Sequence, residues 1–562
     1  MTQDNKRSYA VGVQKFDWIR EHGAAYMDKT KYVWQMVSSS TPFYFLSRPR
    51  RFGKSLLVDT LRCYFEGRKE LFEGLYICDK ETEWKKYPVI RIDLSRGKYY
   101  EKERLHPVID SILHEYEELW KVAYIKDEYS YEARLASIIR AAYEQTGEGV
   151  VILVDEYDAP MLDSIDNADL QDYIRQRIRS LFSPLKEQAQ YLRFVFLTGV
   201  SKFSQLSVFS ELNNLQQITF DPNYEAVCGI TEEELLTEWK IDIEQLTETM
   251  NKRYSRWGIH YTYDDVVSKL KEMYDGYHFS KDMTDIYCPW SLINTFAMGD
   301  IQNFWFSTGT PTMLISVMRQ HNVSIQQLEG RPYSLRRFDA PTERISDPIP
   351  VLYQSGYLTL KDYNPVENEF VLGFPNQEVR EGFAHSLYKY YMEDYVGSED
   401  ALGNAFKRLC RKEITVEQFV ECIRHWYAGI PYSITDKNKN GRNSERHPSL
   451  LEDGRVVTDE GKANEQLYQS LIYAALIGFG ADVQAEDQTS DGRMDIVLKM
   501  TDTIYIIELK YGKTAEEAVE QILKKDYAVR FVHDSRAIVA VGMNISQDRR
   551  TIDGYRIINI EK

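Results

Sequence analysis

Three stretches in the amino-terminal part of the sequence have the residue types and spacing to hold a phosphorylated ligand. An apolar run at 43–46 is followed by SRPRRFGKSLLVDTLRCYF, with Gly53-Lys54-Ser55 where a strand hands over to a helix. Backbone N–H groups at a helix start cradle phosphate oxygens, so Arg51, Phe52, Gly53, Lys54 and Ser55 form the candidate binding set. Lys54 would reach the terminal phosphates and the Ser55 hydroxyl would ligate magnesium. About one hundred residues on, VVILVDEYD (150–158) is an apolar strand ending in acids. It would present Asp155 to the magnesium shell and Glu156 to an attacking water. RFVFLTGVS (193–201) is a second apolar strand with a polar tip, from which Thr198 would touch the γ-phosphate. The bland alternative for the two acids is a strand end meeting solvent. The usual loop also has a glycine five positions before Gly53; here that position is Arg48, which lacks glycine's backbone freedom.

The carboxy-terminal stretch GRMDIVLKMTDTIYIIELKYG (492–512) has a different chemistry. Residues i and i+2 of a strand share a face, so Glu508 and Lys510 project together while Leu509 faces away. A hairpin between Met494 and Lys510 would bring Asp495 close to Glu508. Two carboxylates and an ammonium suit phosphodiester hydrolysis, the acids holding Mg2+ (or Mn2+) and the lysine positioning or activating the nucleophile. Glu465, on a preceding helix, offers a third acid, and Gln521, on a following helix, could orient the site or touch DNA. Against this stands the plain reading that a strand ending E-L-K carries an exposed salt bridge worth under about 1 kcal/mol.

These residues need rigid elements behind them. Apolar runs at 43–46, 89–94, 150–154 and 194–198 alternate with helical patterns at 55–64, 107–120, 134–145 and 170–181. Continuous apolar strands separated by helices predict a parallel sheet covered on both faces. Helical periodicity dominates from about 231 to 328. Residues 355–376 read as strand, Asn-Pro turn and strand before a helix from about 377, which suits a winged-helix-like module. Residues 433–459 are polar and aperiodic, the best linker candidate. A second α/β pattern follows: a helix at 464–477, strands at 495–499 and 503–509, a helix at 515–524 and a strand at 537–541. The expected divisions are 1–215, 216–400, 401–460 and 461–562.

The chain has 562 residues, too many for one core, with 43% hydrophobic and 28% charged residues and a net charge of −17. That composition excludes wholesale disorder and non-specific coating of nucleic acid. No apolar stretch is long enough to span a membrane and the first residues lack a signal-peptide core, so a cytoplasmic protein is expected. Six scattered cysteines predict neither disulfides nor a structural zinc. Residues 464–562 hold 12 Lys and Arg against 16 Asp and Glu, so a DNA path there would rest on local pairs such as Lys524, Lys525 and Arg530, or Arg549 and Arg550.

The segments YMDKTKYVWQM (26–36), FLSRPRRFGKSLLVDTL (45–61), LVDEYDAP (153–160) and FLTGVSKFSQLSVFSELNNL (196–215) together resemble the AAA-ATPase-like family of bacterial proteins. In that family the RPRRFGKS form replaces the usual loop, so the missing glycine is a family trait. MYDGYHF (273–279), PWSL (289–292), WFSTGTPTML (305–314), YQSGYLT (353–359) and FPNQEVR (374–380) resemble the helical extension of such proteins. Residues from Glu465 to Gln521 resemble the PD-(D/E)XK nuclease superfamily, with Met494 where a proline often stands. The resemblance implies an α/β chain: an AAA/STAND-like P-loop ATPase domain with a parallel sheet, a helical and winged-helix-like middle, and a PD-(D/E)XK domain. It implies ATP and Mg2+ as cofactors, with Asp495, Glu508 and Lys510 as the nuclease motif and Glu465 and Gln521 as accessory positions.

Two functions compete on these grounds. One is an ATP-binding and ATP-hydrolysing protein whose nucleotide state gates a fused metal-dependent deoxyribonuclease. The other is an ATP-driven signalling or assembly switch whose carboxy-terminal domain binds nucleic acid or a partner without cutting. A pure DNA motor is disfavoured, because no helicase-type motif follows the 150–158 strand. A homo-oligomer is compatible with either.

Overall fold

The computed structural model describes residues 7–124, 130–164, 167–202, 215–306, 328–340, 347–391, 401–429, 459–485, 488–489, 492–493, 496–548 and 551–561. Asp495, Arg549, Arg550 and the linker candidate up to residue 458 lie outside them. The chain divides into two compact units, Met1–Ser307 with Gly330–Glu378, and Thr308–Glu329 with Val379–Lys562. Among the described residues no helix is long and apolar enough to cross a membrane, and all six cysteines are free.

The first unit is centred on a five-stranded sheet of β1 (Phe43–Ser47), β2 (Val89–Asp93), β3 (Val150–Asp155), β4 (Leu192–Gly199) and β5 (Gln216–Gln217). Its order is β2-β3-β4-β1-β5 and every neighbour is parallel. Every residue of β1 and of β3 is buried, as strands covered by helices on both faces must be. Because all the strands run the same way, the residue-48 loop, Asp93, Asp155 and Thr198 gather at one edge of the sheet, where open α/β sheets bind ligands.

A helical group follows, in which β6 (Ile230–Thr231) pairs with β7 (Ile286–Tyr287). The helices Glu232–Glu238 and Tyr263–Tyr274 each begin with a capping box, Thr231 with Glu234 and Thr262 with Asp265. Their apolar faces close on buried Trp239. The expected hairpin is present as β9 (Thr359–Asn364) and β10 (Glu369–Gly373), and β8 (Arg331–Ser334) adds a third antiparallel strand. The helix Pro348–Gln354 precedes it.

In the second unit a mixed sheet has the order β11-β14-β15-β16-β17, made of β11 (Asp482–Ala485), β14 (Ile496–Lys499), β15 (Thr503–Tyr511), β16 (Ala537–Ile545) and β17 (Ile552–Ile560). A separate short ribbon joins β12 (Gln488–Thr489) and β13 (Gly492–Arg493). Neighbours are antiparallel except β15 and β16, whose parallel crossover carries the helix Ala515–Lys524. The long helix Asp459–Gly478 precedes the sheet.

Candidate functional sites

At the first site the loop after β1 turns through two left-handed residues, Arg51 (φ 73°) and Gly53 (φ 92°). Gly53 then caps the helix Lys54–Phe65. Position 48 is not left-handed, so its backbone has no need of glycine. The Arg48 side chain is instead buried, donating to the carbonyls of Ser47 (3.0 Å), Thr219 (2.8 Å), Tyr224 (3.2 Å) and Glu225 (3.3 Å). It also stacks over Phe279, clamping the 219–225 segment against the sheet. Arg51 donates to the carbonyls of Phe304 (2.8 Å) and Trp305, and Phe52 packs edge-on against Tyr277 and Phe279. Of the three arginines only Arg50 is exposed.

Lys54 is nearly buried. Its ammonium donates to Pro49 O at 3.2 Å and pairs with Glu156 at 3.3 Å. Glu156 follows β3 at a left-handed φ of 48°, a strain found where surrounding structure over-determines a residue. Burial, then the charges of Glu156 and Asp93, push the Asp155 carboxyl up to about 6, while the Ser55 hydroxyl and Lys54 act the other way. The Asp155 Oδ1 is buried without a hydrogen-bond partner, and its Oδ2 lies 3.4 Å from Arg91. An orphaned carboxylate oxygen beside a hydroxyl fits a hard divalent cation. Thr198 is placed differently: its hydroxyl donates to Leu46 O at 2.8 Å, a tie across the β1–β4 register.

Arg91 and Asp158 escaped the sequence reading. Arg91 bridges Asp155 to buried Asp59, and a charge in the alternating strand VIRID was its only signal. Asp158 accepts from Val200 N (3.1 Å), Ser201 N (2.6 Å) and Ser201 Oγ (2.6 Å), binding the turn after β3 to the exit of β4. Beside Gly53 lies a cavity of about 100 Å³ lined by Tyr26, Met27, Lys29, Leu57 and Trp239 among others. Lys29 is paired there with Glu234.

The second site forms on β15. Glu508 and Lys510 are buried and share a face, and the Lys510 ammonium donates to Glu508 Oε1 at 2.7 Å. Gln521 donates to the same oxygen from the helix Ala515–Lys524. Glu465, on the helix Asp459–Gly478, accepts from Tyr511 N at 3.1 Å and lies 3.9 Å from the Lys510 ammonium. Four of the five predicted residues therefore converge. β14 begins at Ile496, opposite Ile507; Asp495 itself lies outside the described residues. Oxygen ligands from two carboxylates fit magnesium or manganese.

The residue that permits this convergence is Gly542, opposite Glu508 in the parallel register. A Cβ there would stand 2.5 Å from Ala515 O and 2.8 Å from Val519. Only glycine lets the helix lie close enough to β16 for Gln521 to reach Glu508. Lys524 and Arg530 are exposed nearby in sequence.

Residues 10–209 match the family model described as predicted AAA-ATPase, and residues 463–554 match that of the PD-(D/E)XK nuclease superfamily. The architecture is thus an AAA-ATPase-like parallel-sheet domain, a helical middle and a PD-(D/E)XK domain in one chain. An uncharacterized protein in the vnfD 5′ region of Azotobacter chroococcum mcd 1 is 29% identical, covering 98% of this chain and 99% of that protein.

Proposed function

We propose that the chain binds and hydrolyses ATP at the first site, cuts DNA in a metal-dependent reaction at the second, and that nucleotide state gates the cutting. The observation carrying this reading is the meeting of Glu465, Glu508, Lys510 and Gln521, drawn from one strand and two helices. An incidental strand-end salt bridge needs no acid and amide brought from separate helices.

At the second site Glu508, Glu465 and Asp495 would hold Mg2+ or Mn2+, which supplies an activated water and charge stabilisation. Gln521 orients the Glu508 carboxylate, and Lys510 positions the nucleophile. DNA phosphates would meet Lys524 and Arg530. At the first site Ser55 and Asp155 would hold Mg2+, and backbone N–H groups from Arg51 to Ser55 would receive the phosphates. Lys54 would exchange Glu156 and Pro49 for the terminal phosphates, releasing Glu156 to take a proton from the attacking water. Thr198 acts from behind by fixing β4 against β1. The cavity beside Gly53, apolar with Lys29 at one side, is the place for the base. The same proposal places the protein in the cytoplasm.

The test is cleavage of plasmid and single-stranded DNA with Mg2+ or Mn2+, with and without ATP, for wild type, Glu508→Ala and Lys54→Ala. Cutting lost in Glu508→Ala supports the nuclease, and a changed ATP response in Lys54→Ala supports gating. No cutting with ATP hydrolysis intact would replace this reading by the switch.

A further inference from the structure

Arg91 takes no part in the chemistry proposed for the first site, yet it stands inside that site's side-chain network. It lies on β2 opposite Leu153 of β3, two residues before Asp93, which is opposite Asp155. Residues two apart on a strand share a face, so Arg91 reaches Asp155 diagonally across the strand pair. Its guanidinium donates to Asp155 Oδ2 at 3.4 Å and to Asp59 Oδ1 at 3.0 Å. Among the described residues it bonds to these two acids alone, and its Nε is buried without a partner. β2 is an edge strand. At its outer side the Tyr116 hydroxyl accepts from Arg91 N at 2.7 Å and donates to Arg91 O at 3.2 Å, which fixes the backbone from which the guanidinium extends.

Asp59 is wholly buried on the helix Lys54–Phe65. It also accepts from Phe16 N at 2.8 Å and from Arg62 Nε at 3.0 Å. Ser55 and Asp59 are one turn apart on that helix and share a face. The Ser55 hydroxyl meets the Asp155 carboxyl. Ser55, Asp155, Arg91 and Asp59 thus close a ring, all of it inside the first unit. Arg91 occupies Oδ2 of Asp155, and Oδ1 is buried without a hydrogen-bond partner. Magnesium accepts little departure from octahedral geometry, so a carboxylate that can turn freely is a poor ligand for it. One clamped through Oδ2 offers Oδ1 alone, at a fixed place.

We infer that Arg91, anchored on Asp59, is a positioning residue for the divalent cation of the first site, holding the Asp155 carboxylate so that Oδ1 is the oxygen left to the ion. This rests on the reading of Ser55 and Asp155 as the cation's ligands and deepens it. Groups that orient a ligand without touching the metal are commonly worth about 10- to 100-fold in metal affinity. A purely electrostatic role has the opposite sign, because removing a positive charge beside the site would tighten Mg2+ binding.

The test is a Mg2+ titration of nucleotide binding on the full chain, which needs neither hydrolysis nor DNA cutting. A fluorescent ATP analogue is bound first in EDTA and then at rising Mg2+. Arg91→Met should raise the Mg2+ concentration giving half the effect about tenfold or more, with binding in EDTA within about threefold of wild type. Arg91→Lys, whose compact ammonium cannot fork between two acids, should fall between. Asp59→Asn should shift the titration in the same direction. Combined with Arg91→Met it should add nothing, since both act through one contact. In Arg91→Met, Asp59 keeps Arg62 and Phe16 N, so the variant should fold, which its melting temperature in EDTA checks. Should it not fold, Arg91→Lys and Asp59→Asn carry the test by the same criterion. A half-saturation within about twofold of wild type overturns the inference, as does tighter Mg2+ binding or an equal loss with and without Mg2+. A Mg2+ response in wild type without ATP hydrolysis sustains the positioning role and overturns the hydrolysis reading. Nucleotide binding in wild type that ignores Mg2+, or no nucleotide binding at all, overturns the ligand assignment and the inference with it.

Discussion

Each candidate site sets a lysine against carboxylates, but the two are assembled from different kinds of structure. Lys510 and Glu508 are two residues apart on β15, and the pleat alone aims them together. Lys54 meets Glu156 about one hundred residues away, on a left-handed turn after β3. The strand lying between β1 and β3 is β4. The first pair is a property of a strand. The second exists only because the sheet order, the Pro49 carbonyl and the buried arginine clamps place it. A site on regular elements should be sensitive chiefly to its own residues and to what docks on them. A loop site should also fail when distant clamps are cut.

The largest effect expected is on the strand-built site. Glu508→Ala should lower metal-dependent cutting by about a thousandfold, read from initial rates on supercoiled plasmid, with ATP turnover followed alongside. At the loop-built site Lys54→Ala should reduce ATP turnover about a hundredfold or more, measured as phosphate release, since it removes a charge aimed at the transferring group. If either substitution abolished both activities equally, the two sites would be one cooperative structure and the contrast between them would fall.

Smaller effects test what holds each site. Gly542→Val drives a side chain into Ala515 O and Val519. It should destabilise the second unit by about 3 kcal/mol in urea unfolding and reduce cutting without touching Glu508. Arg48→Met would strand four backbone carbonyls now satisfied by the guanidinium. A loss of about 2 kcal/mol, seen as a lower melting temperature with weaker nucleotide binding, is expected. An Arg48→Met protein as stable as wild type would remove the clamp.

The least effect is one of pH. Burial pushes the Asp275 carboxyl up from its ordinary 3.8 to about 7, with Asp285 and Glu232 adding to the rise and Gly276 N–H and Lys271 opposing it. Both its oxygens are buried, with the Lys271 ammonium 3.9 Å from Oδ2. The folded protein therefore keeps a proton that the unfolded chain loses near pH 4. Stability from this group is full below about pH 4, falls as pH rises toward 7, and is level above. Asp275→Asn should flatten that fall and be more stable than wild type at pH 8, by on the order of 1–2 kcal/mol in urea midpoints compared at pH 5 and 8.

Strands β1 and β3 were legible because fully buried parallel strands are continuous apolar runs, β2 and β4 because most of their residues are apolar although some are only half-buried, and GKS at a strand-to-helix junction marks itself. The carboxy-terminal strands β14 and β15, though antiparallel to each other, were legible as apolar runs that are mostly buried. β17 was not: beyond its buried first residue every position is exposed or half-buried, with no period-two alternation, too weak a pattern to separate from a polar tail. β8 is four residues long and contains Pro332, which reads as a turn until β10 pairs with it. Thr198 was read as a polar strand tip facing ligand. The β1–β4 register also brings Leu46 O to its hydroxyl, and no spacing along the chain contains that register.

Local spacing by itself determined which residues share a strand face, where a helix begins on a glycine-lysine turn, and which side chains could act, because these follow from backbone periods of 2.0 and 3.6 residues. Tertiary structure decided the rest. It placed β4 between β1 and β3, turned Arg48 inward onto carbonyls 171 to 177 residues away, and required glycine at 542. Each of these depends on which distant group fills the space or satisfies the charge, and a chain's local periodicity carries no record of that.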